Sequence, residues 1–324
     1  PFLRGREFLW QEGHTIHATE EEAREETLRM LEIYADICEN WLAMPVIRGD
    51  KTEKEKFAGA ENTYTIECMM HDRKALQSGT SHYFGDGFAK AFNITFSDKE
   101  NKLRNPHETS WGMSTRVIGG LIMTHGDARG LILPPVVAPV QAVIVPIASK
   151  KEGVLEACRA LKDRLAAAGI RVTLDDSENS PGWKFNEWEM KGVPVRIELG
   201  PRDLEAGKCL LARRDTLEKS ECALAGAAET VKDLLRGISE NMYARAKARM
   251  DARIVSADSL DALLAGVEGG NFVRAGWCGC RACEDKVKEF AQATARVLDK
   301  EHTAKTCVVC GKKAESTVIF ARAY

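Results

Sequence analysis

Five of the ten cysteines are crowded into two short segments near the C-terminus, CGCRAC and CVVC. Tetrahedral zinc takes four soft ligands, which proteins usually deliver as two close pairs. Cys307 and Cys310 form one pair. The other pair is either Cys280 with Cys283, which generic CxxC spacing favours, or Cys278 with Cys283; free thiols are the remaining interpretation. Four thiolates leave no open coordination position, so the pattern predicts a structural zinc site and a reducing compartment.

The chain begins with PFLRGREFLWQEGHTIHAT, in which cationic, acidic, aromatic and imidazole groups are crowded together without helical periodicity. We interpret this stretch as a strand. Taken singly, its residues also have plainer interpretations, since Arg6 and Glu7 could form a solvated strand face. Trp10 and, further along, Phe57 could be core aromatics, and an isolated His82 is more often structural than functional. The chemistry of this stretch therefore depends on what lies around it.

Composition restricts the class of protein. The 46 Lys and Arg residues nearly balance the 48 Asp and Glu residues, so no global basic field indicates nucleic acid, and an RNA partner would need local basic patches. No apolar run is long enough to span a membrane. A length of 324 residues predicts two or three domains.

The elements that would position these groups can be read from the pattern. Thr19 and Glu22 form a capping box, which predicts a helix from there to Met44. A strand is predicted at 63–70. The following segment, ALQSGTSHYFGDGFAKAFNITF, is interpreted as a glycine-rich loop, a short helix and a strand. SWGMSTRVIGGLIMTHGD is interpreted as a small-residue turn followed by an apolar helix.

A proline-punctuated connection at 130–140 is the first predicted domain boundary. Beyond it, buried-strand runs alternate with helical patterns, which predicts an α/β domain. The predicted strands are AVIVPIA, IRVTLDD, VPVRIEL and KCLLARR. One helix is predicted from Val154 to Ala168, where Gly169 stops it, and a long one over roughly 224–253. From about Leu260 onward, short elements surround the cysteines.

Several segments together resemble a known family. They are KTEKEKFAGA, QSGTSHYFG, SWGMSTRVIG, HGDARGLILPP, SPGWKFNEWEMKGVPVRIELGPRD, CEDKVKE and the final FARAY. With the opening stretch, which resembles the second half of class II motif 2, they make the sequence similar from end to end to prolyl-tRNA synthetases of the archaeal/eukaryotic type. The resemblance implies three domains in an α/β protein. These are an α+β catalytic domain with an antiparallel sheet (1–139), an α/β anticodon-binding domain (140–240) and a small zinc-containing domain (241–324).

The resemblance implies a two-step reaction, in which L-proline is activated with ATP to prolyl-adenylate and then transferred to tRNA-Pro. ATP with Mg²⁺ is the implied nucleotide substrate, Zn²⁺ the implied structural metal, and the intact enzyme is expected to be a cytoplasmic homodimer. Both steps depend on positioned cations and a preorganised pocket more than on a covalent nucleophile.

The resemblance also implies roles for individual residues. Arg4 and Arg116 are the expected catalytic cations on the ATP phosphates, and Phe8 is expected to stack on adenine. The implied ATP-binding residues are Arg4, Phe8, Gln77, Thr80, Ser114 and Arg116. The implied proline-binding residues are Trp10, Glu12, His14, Phe57, His82, Ser110 and Gly112. The implied anticodon readers are Glu189, Arg196 and Arg202. The implied metal ligands are Cys278, Cys283, Cys307 and Cys310, with Cys280 as an extra thiol.

The resemblance implies that the chain lacks motif 1, the first strand of motif 2 and an upstream loop that holds the proline amine. It is therefore expected to be a C-terminal fragment that starts inside motif 2 and is inactive alone. The segment from His14 to Ser110 is too short to contain the editing domain of bacterial-type relatives, so no cis-editing is expected. The rival hypothesis is a non-catalytic tRNA-binding or regulatory paralogue. A plain zinc-ribbon RNA-binding protein would not explain the opening stretch, which resembles motif 2, or WGMSTR, which resembles motif 3.

Overall fold

The computed structural model describes residues 3–324. These residues form two compact units. The first contains the chain up to Glu39, Met44–Thr124 and Lys247–Tyr324; the second contains Asn40–Ala43 and His125–Ala246. Among the described helices, none combines the length and the apolar character needed to cross a membrane.

The N-terminal part of the chain is built mainly of strands. Its strands are β1 Trp10–His17, β2 Ile47–Asp50, β3 Asn62–Met69, β4 Ala75–Gly85, β5 Phe96–Ser97, β6 Leu103–Arg104 and β7 His107–Ser114. Its helices are α1 Glu20–Asp36, which continues into a π-helical turn at Ile37–Trp41, α2 Gly87–Ala91 and α3 Arg116–His125.

The middle part alternates strands and helices. Its strands are β8 Ala142–Pro146, β9 Val172–Leu174, β10 Val195–Leu199, β11 Lys208–Arg213 and β12 Lys219–Ala223. Its helices are α4 Val154–Ala167, α5 Pro181–Met190, α6 Pro201–Glu205 and α7 Ala227–Asp251, which a short 3₁₀ turn at Leu224–Gly226 precedes. The last part contains β13 Ile254–Ala257, α8 Leu260–Glu268, β14 Phe272–Trp277, α9 Arg281–Ala291, β15 Thr294–Asp299 and β16 Ser316–Ala321.

Helix α1 begins as the sequence predicts. The Thr19 hydroxyl accepts a hydrogen bond from Glu22 N at 3.2 Å, and Thr19 N donates to Glu22 Oε2 at 3.3 Å, which confirms the capping box. The helix buries one face on the sheet, where Ser81 Oγ of β4 donates to the carbonyl of Thr27 at 2.7 Å. This helix therefore covers one side of the strands whose other side carries most of the candidate site.

The first unit contains a nine-stranded sheet in the order β1-β7-β4-β3-β2-β15-β16-β14-β13. All neighbours pair antiparallel except β13 and β14, which are parallel. Strand β15 joins the C-terminal strands to the N-terminal ones by pairing with β2 at Leu298 and Asp50. The cysteine-rich end of the chain thus shares one sheet with the opening stretch.

The second unit contains a five-stranded sheet in the order β12-β11-β10-β8-β9. Strands β8, β9 and β10 are parallel, and β11 and β12 extend the sheet antiparallel. Every residue of β8 and β10 is buried. The uninterrupted apolar pattern of β8 predicts this, whereas β10 also buries Arg196 and Glu198, which pair with each other at 3.0 Å. The predicted α/β alternation is confirmed, and α4 ends where predicted, with Gly169 at φ +84° just beyond it.

Two predictions of loops were wrong. The segment interpreted as glycine-rich loop is mostly β4, an eleven-residue strand, and the small-residue turn in SWGMST is the end of β7. The glycines there allow close packing instead of turning the chain. A Cβ on Gly79 would lie 3.0 Å from the Tyr34 ring of α1, and one on Gly13 of β1 would overlap the Trp111 ring at 2.3 Å.

Candidate active site and metal centre

Two rows of polar residues cross four strands of the large sheet. In the first row, Glu12 of β1 lies opposite Gly112 of β7, which lies opposite Thr80 of β4. Thr80 in turn lies opposite Thr65 of β3. Residues directly opposite one another in an antiparallel ladder point to the same face of the sheet. The register alone therefore places these residues on one face.

The second row runs parallel to the first. His14 of β1 lies opposite Ser110 of β7, Ser110 lies opposite His82 of β4, and His82 lies opposite Thr63 of β3. Because these residues are two positions from those of the first row along each strand, both rows share one face. This face lies opposite the one that α1 covers. The structure thus brings together six residues predicted to bind proline or ATP, which come from three separate stretches of the sequence.

Among the residues predicted to bind proline or ATP, His82 is the most buried one with a titratable side chain, at 8% exposure. Its Nδ1 lies 2.9 Å from the hydroxyl of Thr63, and that hydroxyl also accepts a hydrogen bond from Phe57 N at 3.0 Å. The ring of Phe57 packs against the imidazole with 5.0 Å between centroids. Burial, together with the positive charge of His14, lowers the pKa of His82 to about 4. The imidazole is therefore neutral at neutral pH.

The outer end of the site is open. His14 Nε2 lies 3.1 Å from Glu12 Oε1, and 65% of the His14 side chain is exposed. The Trp10 ring lies over Gly112, where an added Cβ would lie 3.5 Å from it, and Phe8 packs edge-on against the same ring at 6.1 Å. Trp10 and Phe57 are both more than half exposed. Exposed aromatics beside a carboxylate suit a small apolar cation.

Next to these rows lies a cavity of about 450 Å³ that contains the two expected catalytic arginines. It is lined by Leu3, Arg4, Gly5, Glu7, Phe8, Ser114, Thr115 and Arg116. Arg116 Nε donates to the carbonyl of Leu3 at 3.1 Å. Burial and the nearby charge of Arg4 lower the pKa of Arg116. Two like charges directed at one cavity favour an anionic ligand, because such a ligand relieves their repulsion.

Not every predicted ATP-binding residue lines this cavity. Arg4, Phe8, Ser114 and Arg116 do, whereas Thr80 lies in the first polar row. Gln77 lies further along β4, opposite Glu67 of β3.

The four cysteines predicted as metal ligands form one group. Their sulfur atoms, from Cys278, Cys283, Cys307 and Cys310, all lie within 4.8 Å of one another. The Cys278–Cys283 and Cys278–Cys310 sulfur distances are 3.7 and 3.6 Å. A tetrahedron with Zn–S bonds of ~2.3 Å has S···S edges of about 3.8 Å. The group therefore has the dimensions and the soft donors of a closed zinc site, and it could hold one metal ion.

Three different elements deliver these thiols. Cys278 directly follows β14, Cys283 lies in the first turn of α9, and Cys307 begins a tight turn in which Gly311 N donates to its carbonyl at 2.9 Å. Burial would raise the pKa of the Cys307 thiol, but the backbone amides of Cys310 and Val309 outweigh it and lower that pKa to about 7. A thiolate is the form that binds metal. The side chain of Cys280 is exposed and lies outside the group.

The three predicted anticodon readers differ in their ion pairs. Glu189 of α5 pairs with Arg196 of β10 at 2.8 Å and with Arg129 at 3.1 Å, beside a cavity of about 230 Å³. Burial would raise the pKa of Glu189, but Arg196 and Arg129 outweigh it and lower that pKa. Arg202 lies on α6, is exposed, and has no side-chain ion pair within residues 3–324. Two of the three predicted readers are therefore paired with each other, while the third is an exposed cation.

Two neighbours of these residues differ in accessibility. Trp183 of α5 is 51% exposed, so its ring is available for stacking. Lys184 is 2% exposed and donates to the Asp175 carbonyl at 2.8 Å. Lys184 therefore stabilises the unit from inside and does not present its charge to a ligand.

Comparison with known proteins decides the family. Residues 1–125 match the "tRNA synthetase class II core domain (G, H, P, S and T)", residues 141–234 the "Anticodon binding domain", and residues 260–324 "Prolyl-tRNA synthetase, C-terminal". The proline–tRNA ligase of Lachnoclostridium phytofermentans is 57% identical over the whole chain, and proline–tRNA ligase 2 of Clostridioides difficile is 54% identical. The chain spans 68% of the length of each.

The chain belongs to the prolyl-tRNA synthetases. A crystal structure of the prolyl-tRNA synthetase from Cryptosporidium parvum, complexed with L-proline and AMP, is similar to it with a TM-score of 0.97 and 39% identity. The similarity covers 100% of this chain and 71% of that one. The family and the fold class that the sequence predicted are confirmed, including the class II core and the anticodon-binding domain.

The sequence missed one set of buried charges in this prolyl-tRNA synthetase. Glu67 of β3 is fully buried, accepts a hydrogen bond from Lys51 Nζ at 2.7 Å, and is bound by Arg296 of β15 at 2.9 Å. Burial alone would raise the pKa of Glu67, but the two cations outweigh it and lower that pKa. The charges of Glu67 and Arg296 also act on Arg116 in the cavity. A single carboxylate inside the otherwise uncharged strand TYTIECMM was the available signal.

Proposed function

We propose that this synthetase activates L-proline with ATP and transfers the prolyl group to tRNA-Pro. The observation that supports the proposal is the placement of a cavity lined by Arg4 and Arg116 beside two rows of residues on one sheet face. Ser114 lines the cavity and lies two residues beyond Gly112 of the first row on the same strand. A nucleotide phosphate in the cavity would therefore lie next to an amino acid bound over the rows.

In the first step, a carboxylate oxygen of proline attacks the α-phosphorus of ATP. The bond between that phosphorus and the bridging oxygen to the β-phosphate breaks, and pyrophosphate leaves. Arg4 and Arg116 would stabilise the charge that develops on the phosphate oxygens, because both line the cavity. Mg²⁺, which accompanies ATP as part of the substrate, would neutralise further phosphate charge.

Proline itself would be recognised by shape and charge. Trp10 and Phe57 would form aromatic walls for the pyrrolidine ring, while Glu12 would attract the secondary ammonium group. The neutral imidazole of His82 and the hydroxyl of Ser110 would supply hydrogen bonds without adding charge. His14, which pairs with Glu12, would orient that carboxylate. In the second step the terminal adenosine hydroxyl of tRNA attacks the prolyl carbonyl, AMP leaves, and the hydroxyl proton is released.

Three further roles follow from the same proposal. Residues 140–240 would bind the anticodon, with Glu189, Arg196 and Arg202 directed at its guanines, because carboxylates suit the N1–H/N2–H edge and arginines suit O6 and N7. Residues 241–324 would hold a structural Zn²⁺ ion through four thiolates. The intact enzyme would act as a homodimer in the cytoplasm.

The test is proline-dependent ATP–pyrophosphate exchange by the full-length enzyme, with Arg116→Ala compared with Arg236→Ala on the exposed face of α7. Removing one preorganised donor typically lowers the rate about 10²–10³-fold, and we expect that loss for Arg116→Ala only. Failure of the wild-type enzyme to exchange with proline would instead favour the non-catalytic paralogue.

A further inference from the structure

Two segments that the family resemblance singled out, KTEKEKFAGA and CEDKVKE, meet in the structure although they lie far apart in the sequence. The hydroxyl of Thr52 donates to Glu284 Oε1 at 3.0 Å, across 232 positions. Both residues are only 2% exposed. Next to them, Lys54 Nζ lies 2.7 Å from Asp285 Oδ1, and 13% of the Lys54 side chain is exposed. Helix α9 thus holds the segment after β2 at two adjacent points.

The same segment leads directly into the candidate proline site. Glu55 N and Lys56 N both donate to the Thr52 carbonyl, at 3.0 and 2.9 Å. The chain therefore forms a tight turn immediately after Thr52, the residue bound to Glu284. The residue after Lys56 is Phe57. Its backbone N–H donates to Thr63 Oγ1, and its ring packs on His82. A displacement at Thr52 would therefore move Phe57 relative to His82.

Among the described residues, the Glu284 carboxyl group has a single hydrogen-bond donor, the Thr52 hydroxyl. Its Oε2 atom is buried and has no hydrogen-bond partner among the described residues. Oε1 is bound by the Thr52 hydroxyl. Loss of that hydroxyl would leave the carboxyl group buried without a donor, and such a group gains by moving toward water. The attachment of the segment to helix α9 consequently depends on this one hydrogen bond together with the neighbouring ion pair.

We propose that Glu284 and Asp285 are positioning residues for amino-acid recognition: through Thr52 and Lys54, helix α9 fixes the aromatic wall formed by Phe57 against His82. Because Cys283 lies on the same helix, the cysteine group acts on the amino-acid site through this contact. The inference rests on the proposed function, which assigns Phe57 and His82 to proline. Neither Glu284 nor Asp285 touches the substrate.

The main test is steady-state pyrophosphate exchange by the full-length enzyme carrying Thr52→Val, which keeps the side-chain shape and removes the hydroxyl. We expect KM for proline to rise about tenfold, the scale of one lost hydrogen bond, while KM for ATP changes less than about twofold. Thr52→Ser restores a hydroxyl and is expected to return KM for proline to near the wild-type value. An equal rise in both KM values, or no rise for proline, would overturn the proposal.

The ion pair is tested by a double-mutant cycle with Lys54→Met and Asp285→Asn. If the pair acts through one contact, the double variant should have the same KM for proline as either single variant. Fully additive effects would contradict a shared contact. Metal content per chain is measured in every variant, because Asp285 lies two positions from Cys283. If Asp285→Asn has lost metal, the contact is tested from the other segment alone, by comparing KM for proline in Lys54→Met with that in Lys54→Arg, which keeps the positive charge.

A measurement without substrate separates this inference from the proposed function. Amide hydrogen exchange of residues 52–60 in the substrate-free enzyme should be faster in Thr52→Val than in wild type or Thr52→Ser. Suppose that wild type shows no proline-dependent ATP–pyrophosphate exchange, but amide hydrogen exchange is still faster in Thr52→Val. The proposed function then fails, while the attachment of residues 52–60 to α9 is upheld. Unchanged hydrogen exchange in Thr52→Val would show that α9 does not hold the segment.

Discussion

Arg296 Nη2 lies 2.9 Å from Glu67 Oε2, although 229 positions separate the two residues. Lys51 Nζ binds the other carboxylate oxygen at 2.7 Å, so one fully buried anion holds two cations. The contact connects β3 with β15 across the short strand β2. This noncovalent contact links the N-terminal strands to the C-terminal part of the same sheet.

Replacing Glu67 should therefore be costly. Glu67→Gln keeps the shape of the side chain but leaves Lys51 and Arg296 without their counter-ion, which typically costs about 3–5 kcal/mol for a buried pair. The measurement is urea unfolding at pH 7. Glu61→Gln is the matched control, because the Glu61 side chain is 54% exposed and its ion pair is 3.7 Å long; we expect less than about 1 kcal/mol there. Equal effects of the two changes would show that the buried contact contributes little.

The stability of the protein should depend on pH through His82. The pKa of this residue is about 4 when folded and 6.5 in its ordinary range. As pH falls below 6.5, the unfolded chain binds a proton that the folded state resists, so stability is lost between pH 6.5 and about 4. That interval corresponds to about 3 kcal/mol. In His82→Gln this part of the loss should be absent.

The free energy of unfolding in urea is measured for wild type and His82→Gln at pH 7 and pH 4.5. Subtracting the pH-dependent change in the variant from that in wild type removes the contribution of the carboxylates, which both proteins share. His71→Gln, which changes an exposed histidine, serves as the control and should follow the wild-type curve. A His82→Gln curve parallel to that of wild type would mean that His82 is protonated in the folded state.

The cysteine group makes a prediction about metal content. Cys283→Ser should lose the bound ion because Cys283 supplies one of the four grouped sulfurs, whereas Cys280→Ser should keep one ion per chain because its side chain lies outside the group. Metal per chain is measured by elemental analysis after exhaustive dialysis. Loss of metal in Cys280→Ser together with retention in Cys278→Ser would reverse the assignment.

The lone cation on α6 makes a prediction about tRNA. Arg202→Ala should weaken binding of tRNA-Pro by about 1–3 kcal/mol, the scale of a bidentate contact to a guanine. The effect should disappear on a tRNA whose two anticodon guanines are replaced. Arg236→Ala, an exposed change on α7, should leave both affinities unaltered. Equal weakening of both RNAs by Arg202→Ala would mean that Arg202 contacts only the backbone.

Some features of this protein were determined by the sequence itself, because the interactions behind them are local. The capping box of Thr19 and Glu22 sets the start of α1 within four residues of chain, and Gly169 supplies the left-handed conformation that ends α4. The uninterrupted apolar run AVIVP predicted β8, since a strand buried on both faces needs no polar alternation. The family motifs and the CVVC pair are likewise contiguous and could be read directly.

Other features were decided only by tertiary structure. Glycines in β4 and β7 suggested turns, but they serve close packing by α1 and Trp10, which no local pattern reveals. Spacing allowed either Cys278 or Cys280 to join the cysteine group, and the fold brings the sulfur of Cys278 to the others. The site itself is a matter of register, because hydrogen bonding between strands distant in sequence aligns the two polar rows. For the same reason the partners of Glu67 could not be predicted: a buried charge needs compensation, but only the folded sheet decides which cation supplies it.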